Sequence, residues 1–279
     1  MKNYKKQLVN GAQSVALFIA ALGCLSLAGC ATTQKNQTAD AKGAAAAPAG
    51  NDAQGNYDDP LEGYNRVMFK INDAVDQAIM QPVAMGYRTV VPRPIRMGVR
   101  NFLHNLRTPV NAANNLLQGN IRGVATDLSR FAMNTTIGIG GLIDVAKDTG
   151  LRYKPEDFGQ TLGVWGVSHG PYLVIPILGP SSFRDAAGLV VDSYADPVRL
   201  YLYNTHREPL YYVRAGLIGL DEREALLDAI YDLRKHSFDY YAATRSAYFQ
   251  ERDAMISNRH SDRPAASADS IPDYGSDHP

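Results

Sequence analysis

From Phe158 to Val191 the chain reads FGQTLGVWGVSHGPYLVIPILGP and then SSFRDAAGLVV. This stretch is too apolar for a solvated loop. It is also interrupted by Gly163, Gly166, Gly170, Pro171, Pro176, Gly179 and Pro180, whereas a membrane-spanning helix takes about 20 consecutive apolar residues. Up to Pro180 it has no helical period, so that part is expected to be irregular or extended, and something apolar must cover the stretch. The cover is either the protein's own core or acyl chains, with helices lying in one leaflet and the breaks facing a cavity.

The same stretch contains Gly166-Val167-Ser168-His169-Gly170, which fits the G-x-S-x-G pattern of a hydrolase nucleophile. That pattern works only on a strand-to-helix elbow, where the serine hydroxyl stands over backbone N–H donors. Here Pro176 would interrupt a helix after the serine, and β-α alternation is absent elsewhere. Ser168 and His169 therefore read as loop residues. A lipase or esterase using Ser168, with Asp192 or Asp196 and His206 or His236 as partners, stays as the alternative.

The N-terminus bears on the choice. Lys2, Lys5 and Lys6 precede the apolar run SVALFIAALGCLSLAG, the order of a secretory signal. It ends at Leu27-Ala28-Gly29-Cys30, which resembles a bacterial lipobox. Cys30 would then be the first mature residue and carry acyl chains, each buried methylene contributing about 0.8 kcal/mol to membrane binding. Ala31, rather than an aspartate, points to the outer membrane among such lipoproteins. Cys24 leaves with the signal, so the mature chain has no cysteine for a disulfide. Of 28 basic and 28 acidic residues the signal removes three lysines, which leaves a faintly acidic chain poorly suited to nucleic acid.

Four segments follow: a signal peptide at 1–29, a lipidated polar tether at 30–57, a folded domain at 58–258 and a low-complexity tail at 259–279. The folded part is expected to be mainly α. A helix capped by Asp59 should carry Leu61, Tyr64, Met68, Ile71 and Val75 and end before Pro82. A basic amphipathic helix should carry Ile95, Val99, Phe102, Leu103 and Leu106. A third should cover NAANNLLQG, a fourth GVATDLSRFAMNTTIG with Val124, Leu128, Phe131 and Ala132 on one side, and a short one GLIDVAKDTG. Ser182 and Asp185 form a capping box opening a further helix. A long helix is expected from about Asp221 to Ser257. The six histidines lack metal-site spacing, and IGIGG lacks the lysine of a phosphate loop. No metal or cofactor is expected.

DPLEGYNRVMFKIND, RFAMNTTIGIGGLIDVA, EDFGQTLGVWGV, GPYLVIPILGPSSFRD and RSAYFQERD, in that order between Asp59 and Asp253, closely resemble the MlaA/VacJ family of outer-membrane lipoproteins. The resemblance implies a ring-like bundle of amphipathic helices embedded in one membrane leaflet around a polar channel. It implies association with trimeric porins and passage of misplaced outer-leaflet phospholipid to a periplasmic phospholipid carrier, without catalysis. Asn65, Phe69 and Asn72 are carried over as channel or gating positions, and Gly138, Gly140 and Gly141 as hinges. Lys70 stands where the family often has a smaller polar residue. Trp165, Tyr172, Leu173, Ile175, Ile177 and Leu178 are the expected membrane-facing residues. A structural envelope lipoprotein that does not touch lipid is a third reading.

Overall fold

A computed structural model describes residues 59–257; Cys30, the signal, the tether and the tail lie outside them. The fold is mainly helical, as expected, with one two-stranded hairpin. Among the described residues no helix is long and apolar enough to cross a membrane.

Helix α1, Glu62–Val75, does not stop before Pro82. It passes through a π-helical turn, Asp76–Met80, into α2, Gln81–Val90. The wider turn, closed by the Gln81 N–H on the Asp76 carbonyl, makes room for a proline ring that a regular helix would clash with. Asp59 does not cap α1 either. Its carboxylate accepts from Asn65 Nδ2 at 2.8 Å, from Arg245 Nη1 at 2.9 Å and from the Tyr241 hydroxyl, tying the start of the domain to its last helix.

The second and third expected helices are one, α3, Arg93–Leu117, with Pro109 inside it. Helix α4, Ile121–Thr136, starts at Asn120, whose side chain accepts from Gly123 N. The short α5, Val145–Asp148, is capped by Asp144. Part of the segment expected to be irregular is instead helix α6, Phe158–Val164, because Asp157 caps it by accepting from Gln160 N. The rest forms an antiparallel hairpin, β1 (Tyr172–Ile175) and β2 (Gly179–Ser182), with Tyr172 opposite Ser182. Ser182 then caps α7, Phe183–Ala195, by accepting from Asp185 N, as the capping box predicts. Helices α6 and α7 approach so closely that a Cβ on Gly188 would lie 2.3 Å from Gly159 N.

Helices α8 (Pro197–Asn204), α9 (Glu208–Ala225), α10 (Leu227–His236) and α11 (Tyr240–Ser257) complete the fold. The single long helix expected from Asp221 to Ser257 is thus three pieces. The second break falls at Ser237, which is extended, and Asp239 restarts the helix by accepting from Ala242 N.

The apolar core is compact and aromatic. Tyr172, Val174, Tyr241 and Phe249 are buried together, with Met68, Phe69 and Tyr248 against them. Strand alternation explains why Tyr172 and Val174 go in while Leu173 and Ile175 stay half-buried.

Candidate functional site

Away from that cluster the polarity of the helices is reversed. On the apolar side expected of helix α4, Val124 is half-buried and Leu128, Phe131 and Ala132 are exposed, while the buried residues are Asp127, Arg130 and Asn134. In α3, Ile95 and Phe102 of the expected apolar face are exposed, Val99 and Leu106 half-buried and Leu103 buried, while Asn105, Thr108, Asn111, Asn114 and Asn115 are buried as well. Helix α9 buries Asp221, Arg223 and Glu224 and exposes Leu210, Tyr212, Val213 and Leu217. Among the described residues nineteen polar or charged side chains are buried against eleven apolar ones, the reverse of a domain folded in water.

The buried polar groups are bonded, as burial demands. Asn105 Nδ2 donates to Thr135 Oγ1 at 3.0 Å, and Asn115 Nδ2 to Asp127 Oδ2 at 2.8 Å. Gln118 Nε2 reaches Glu156 Oε2 at 2.9 Å and Thr161 Oγ1 at 3.0 Å. Arg130 holds Asp144 at 2.8 Å. Glu224 takes Arg88 at 2.9 Å, Arg100 at 3.2 Å and Arg96, which pins α2 and α3 to α9. Burial raises the Asp127 carboxyl to about 6, against the Asn115 hydrogen bond and the Arg130 charge.

Within this polar interior lies a cavity of about 330 Å³. Its walls come from α3, β2, α7, α9 and α11, and its charged lining is Arg107, Arg214 and Arg252 with Asp157, Asp185, Asp192 and Asp196. Arg252 Nη1 and Nη2 grip Asp157 at 2.7 and 2.9 Å. Burial pushes Asp157 up, and the Arg252 fork outweighs it, leaving Asp157 well below the usual carboxylate range. Arg214 pairs with Asp196. Asp192 accepts from Asn114 Nδ2 at 2.9 Å and from Phe158 N at 2.8 Å.

None of the six residues carried over as channel, gating or hinge positions lines this cavity. Asn65 is fully buried and works as a surrogate strand: its Nδ2 donates to the Tyr172 carbonyl at 2.9 Å and its Oδ1 accepts from Val174 N at 2.8 Å. Asn72, two turns on, repeats this with the Ile175 carbonyl at 2.9 Å and Ile177 N at 2.8 Å. The pair braces the free edge of β1 along α1. Phe69 packs edge-on against Tyr240 and Tyr241. Gly138, Gly140 and Gly141 form a tight turn with Gly140 and Gly141 at positive φ. A Cβ on Gly138 would meet the Ile143 carbonyl at 2.2 Å, and one on Gly141 would meet Asn105 Cβ at 2.6 Å.

Of the expected membrane-facing residues, Ile177 is 86% exposed, Leu178 65% and Trp165 54%. Tyr172 is a correction: it is fully buried, because the aromatic cluster of α1 and α11 takes the inward face of β1.

Ser168 is exposed between helix α6 and strand β1, the reverse order of an elbow. The adjacent His169 turns away, its Nε2 lying 2.7 Å from Asp253 Oδ1 and its ring edge-on to Phe249. Among the described residues no base is hydrogen-bonded to Ser168, and no group of three His, Cys, Asp or Glu could hold a metal.

The polar face of α3 escaped the sequence reading because helical periodicity was assigned to the apolar positions alone. Arg107, Asn111, Asn114 and Gln118 repeat at i, i+4, i+7 and i+11, a polar stripe as regular as any apolar one.

The profile of the MlaA lipoprotein family matches residues 57–255. The chain belongs to the MlaA lipoprotein family. An intermembrane phospholipid transport system lipoprotein MlaA from Escherichia coli is 38% identical over 237 residues, covering 84% of this chain and 85% of that protein. The Haemophilus influenzae protein of the same name is 30% identical over 261 residues, covering 92% and 95%. An uncharacterised Rickettsia typhi protein is 37% identical over 201 residues, covering 71% and 78%. A solved chain from a study of the structural basis for maintenance of bacterial outer membrane lipid asymmetry shares 39% identity. Its TM-score is 0.63, with 71% of this chain and 99% of that chain covered.

Proposed function

We propose that this protein is an outer-membrane lipoprotein that maintains lipid asymmetry, removing mislocalised phospholipid from the outer leaflet through a polar channel and handing it to a periplasmic carrier. The observation that carries the reading is the inverted polarity of α3, α4 and α9, two of which, α3 and α9, also wall a charged cavity. A charged headgroup pays a steep desolvation penalty in hydrocarbon, and a polar path through an apolar shell removes it. The chain supplies the shell with Ile95, Phe102, Leu128, Phe131, Leu217 and their neighbours, and the path with bonded amides and ion pairs. Relatives named as intermembrane phospholipid transport lipoproteins support it. In this reading Cys30 holds the acyl anchor and the helices lie as a ring in the inner leaflet. Trp165, Ile177 and Leu178 meet lipid, with trimeric porins beside the ring. No covalent step is required, and Ser168 is a turn residue.

The test is outer-leaflet phospholipid in a deletion strain carrying wild type, Ser168→Ala or Ala215→Trp, with lysophospholipid quantified by mass spectrometry from the same cells. Ala215 lines the cavity, so tryptophan there narrows it. Ser168→Ala is expected to rescue in full, and Ala215→Trp, at equal protein level, to leave phospholipid on the surface. Lost rescue by Ser168→Ala together with falling lysophospholipid would instead make the protein a hydrolase.

A further inference from the structure

Arg107 differs from the other arginines of the cavity. Arg252 is committed to Asp157 and Arg214 to Asp196. Of the two remaining carboxylates, Asp185 is held by Arg184 and Arg252, and Asp192 is hydrogen-bonded by neutral donors, Asn114 and Phe158 N. Arg107 makes no hydrogen bond and no ion pair among the described residues, and its Nε is enclosed without a partner. A guanidinium that no side chain or carbonyl engages keeps its donors available to a ligand. Its charge is secure: burial opposes it, and the surrounding field of Tyr153, Asp157, Asp192 and Glu222 more than restores it.

We propose that the guanidinium of Arg107 is the contact for the phosphate of the lipid in transit. The missing partner is an anion with two oxygens matched to the guanidinium fork, which is the chemistry of a phosphate group. The cavity volume falls in the range of small-ligand sites, enough for a headgroup with its acyl chains left outside. The contact selects for what every glycerophospholipid shares, the phosphate, and is indifferent to the rest of the headgroup. It rests on the transport reading above and adds the group that recognises the cargo. Val110, one turn along α3, is also on the wall, so one helix presents both the charge and an apolar shoulder.

The experiment uses the full-length lipidated protein in a phosphate-free maltoside detergent. Binding of dihexanoylphosphatidylglycerol, dihexanoylglycerol and inorganic phosphate is measured by calorimetry for wild type, Arg107→Gln and Arg107→Lys, with a thermal melt of each. The expected result is at least a tenfold loss of phosphatidylglycerol affinity in Arg107→Gln, a smaller loss in Arg107→Lys, and unchanged dihexanoylglycerol binding. Arg107→Gln should melt below wild type, since Asp157, Asp192 and Glu222 then lose a neighbouring cation, with Arg107→Lys nearer wild type. Phosphatidylglycerol and dihexanoylglycerol binding lost together would make Arg107 structural and overturn the assignment. Equal phosphatidylglycerol binding by Arg107→Gln would also overturn it, while leaving transport intact. Inorganic phosphate binding as tightly as the lipid would make the ligand free phosphate. Wild type that binds none of the probes would overturn the transport reading as well.

Discussion

Two regions of this molecule are held together by opposite means. Where α1, the hairpin and α11 meet, rings and aliphatics are buried and the polar groups that enter, Asn65 and Asn72, finish the edge of a strand. Where α3 packs against α4 and against α9, amides and ion pairs are buried and many aliphatics face out. The first arrangement is stable with water outside, because burying apolar area is what drives it. The second is held by buried hydrogen bonds and ion pairs, and leaves apolar side chains on its outside.

The largest expected effects come from breaking each region by its own means. Phe249→Ala opens a cavity under Tyr172, Tyr248 and His169, and a phenylalanine truncation of this kind costs about 3–5 kcal/mol. Thermal unfolding in detergent and in lipid should show the same loss, because that core does not contact the surrounding medium. Glu224→Ala leaves Arg88, Arg96 and Arg100 without a shared partner at about 3 kcal/mol. Here Glu224→Gln should recover little, since an amide cannot compensate three guanidinium groups. A Glu224→Ala protein as stable as wild type would show that the ion-pair interior is dispensable.

The two regions also differ in how much of them could be read from the chain. Capping chemistry is local, so Ser182 on α7 and the short helix at GLIDVAKDTG were legible. Asp59 looked like a cap and was not, because Arg245 and Tyr241 lie more than 180 residues away, beyond any window of sequence. Pro109 lies between the two helices expected there, yet α3 runs through it as one. Periodicity located α4 correctly but left its orientation open: a stripe of Leu128, Phe131 and Ala132 states which residues share a face, and not which way that face turns. The family motif around Asn65 was legible as important. Its role in pairing β1 was not, since it depends on a strand more than 100 residues downstream.

Asp127 sharpens the comparison through pH. Its carboxyl is raised from 3.8 to about 6 by burial, so the folded state binds this proton more tightly than the unfolded chain does. The resulting penalty is absent below about pH 4, where both states are protonated, and grows as pH rises to its full value above 6. A two-unit shift corresponds to about 3 kcal/mol. Asp127→Asn should keep the Asn115 hydrogen bond, which its side-chain carbonyl can still accept, and lose the penalty. It is therefore expected to be more stable than wild type by up to about 3 kcal/mol at pH 7.5, with the advantage vanishing toward pH 4. Unfolding of both proteins across that range checks it, and a gap that widens on acidification would contradict the sign.

The smallest effect on the fold is expected from the outward aliphatics, and it discriminates best between the regions. Leu128 is 56% exposed and Ile137 65%. Exposed substitutions usually change stability by less than about 0.5 kcal/mol, so Leu128→Ser with Ile137→Ser should leave unfolding in detergent almost unmoved. If the surface faces hydrocarbon, the same pair removes several buried methylenes from the lipid contact, at about 0.8 kcal/mol each. Brominated-lipid quenching of Trp165, itself half exposed with its Nε1 on the Leu117 carbonyl, reports how deep the shell sits. Shallower quenching in the double variant with unchanged unfolding would separate residence from folding. Equal quenching in both proteins would mean that this face meets another protein instead of lipid, and the inverted helices would then be an interface.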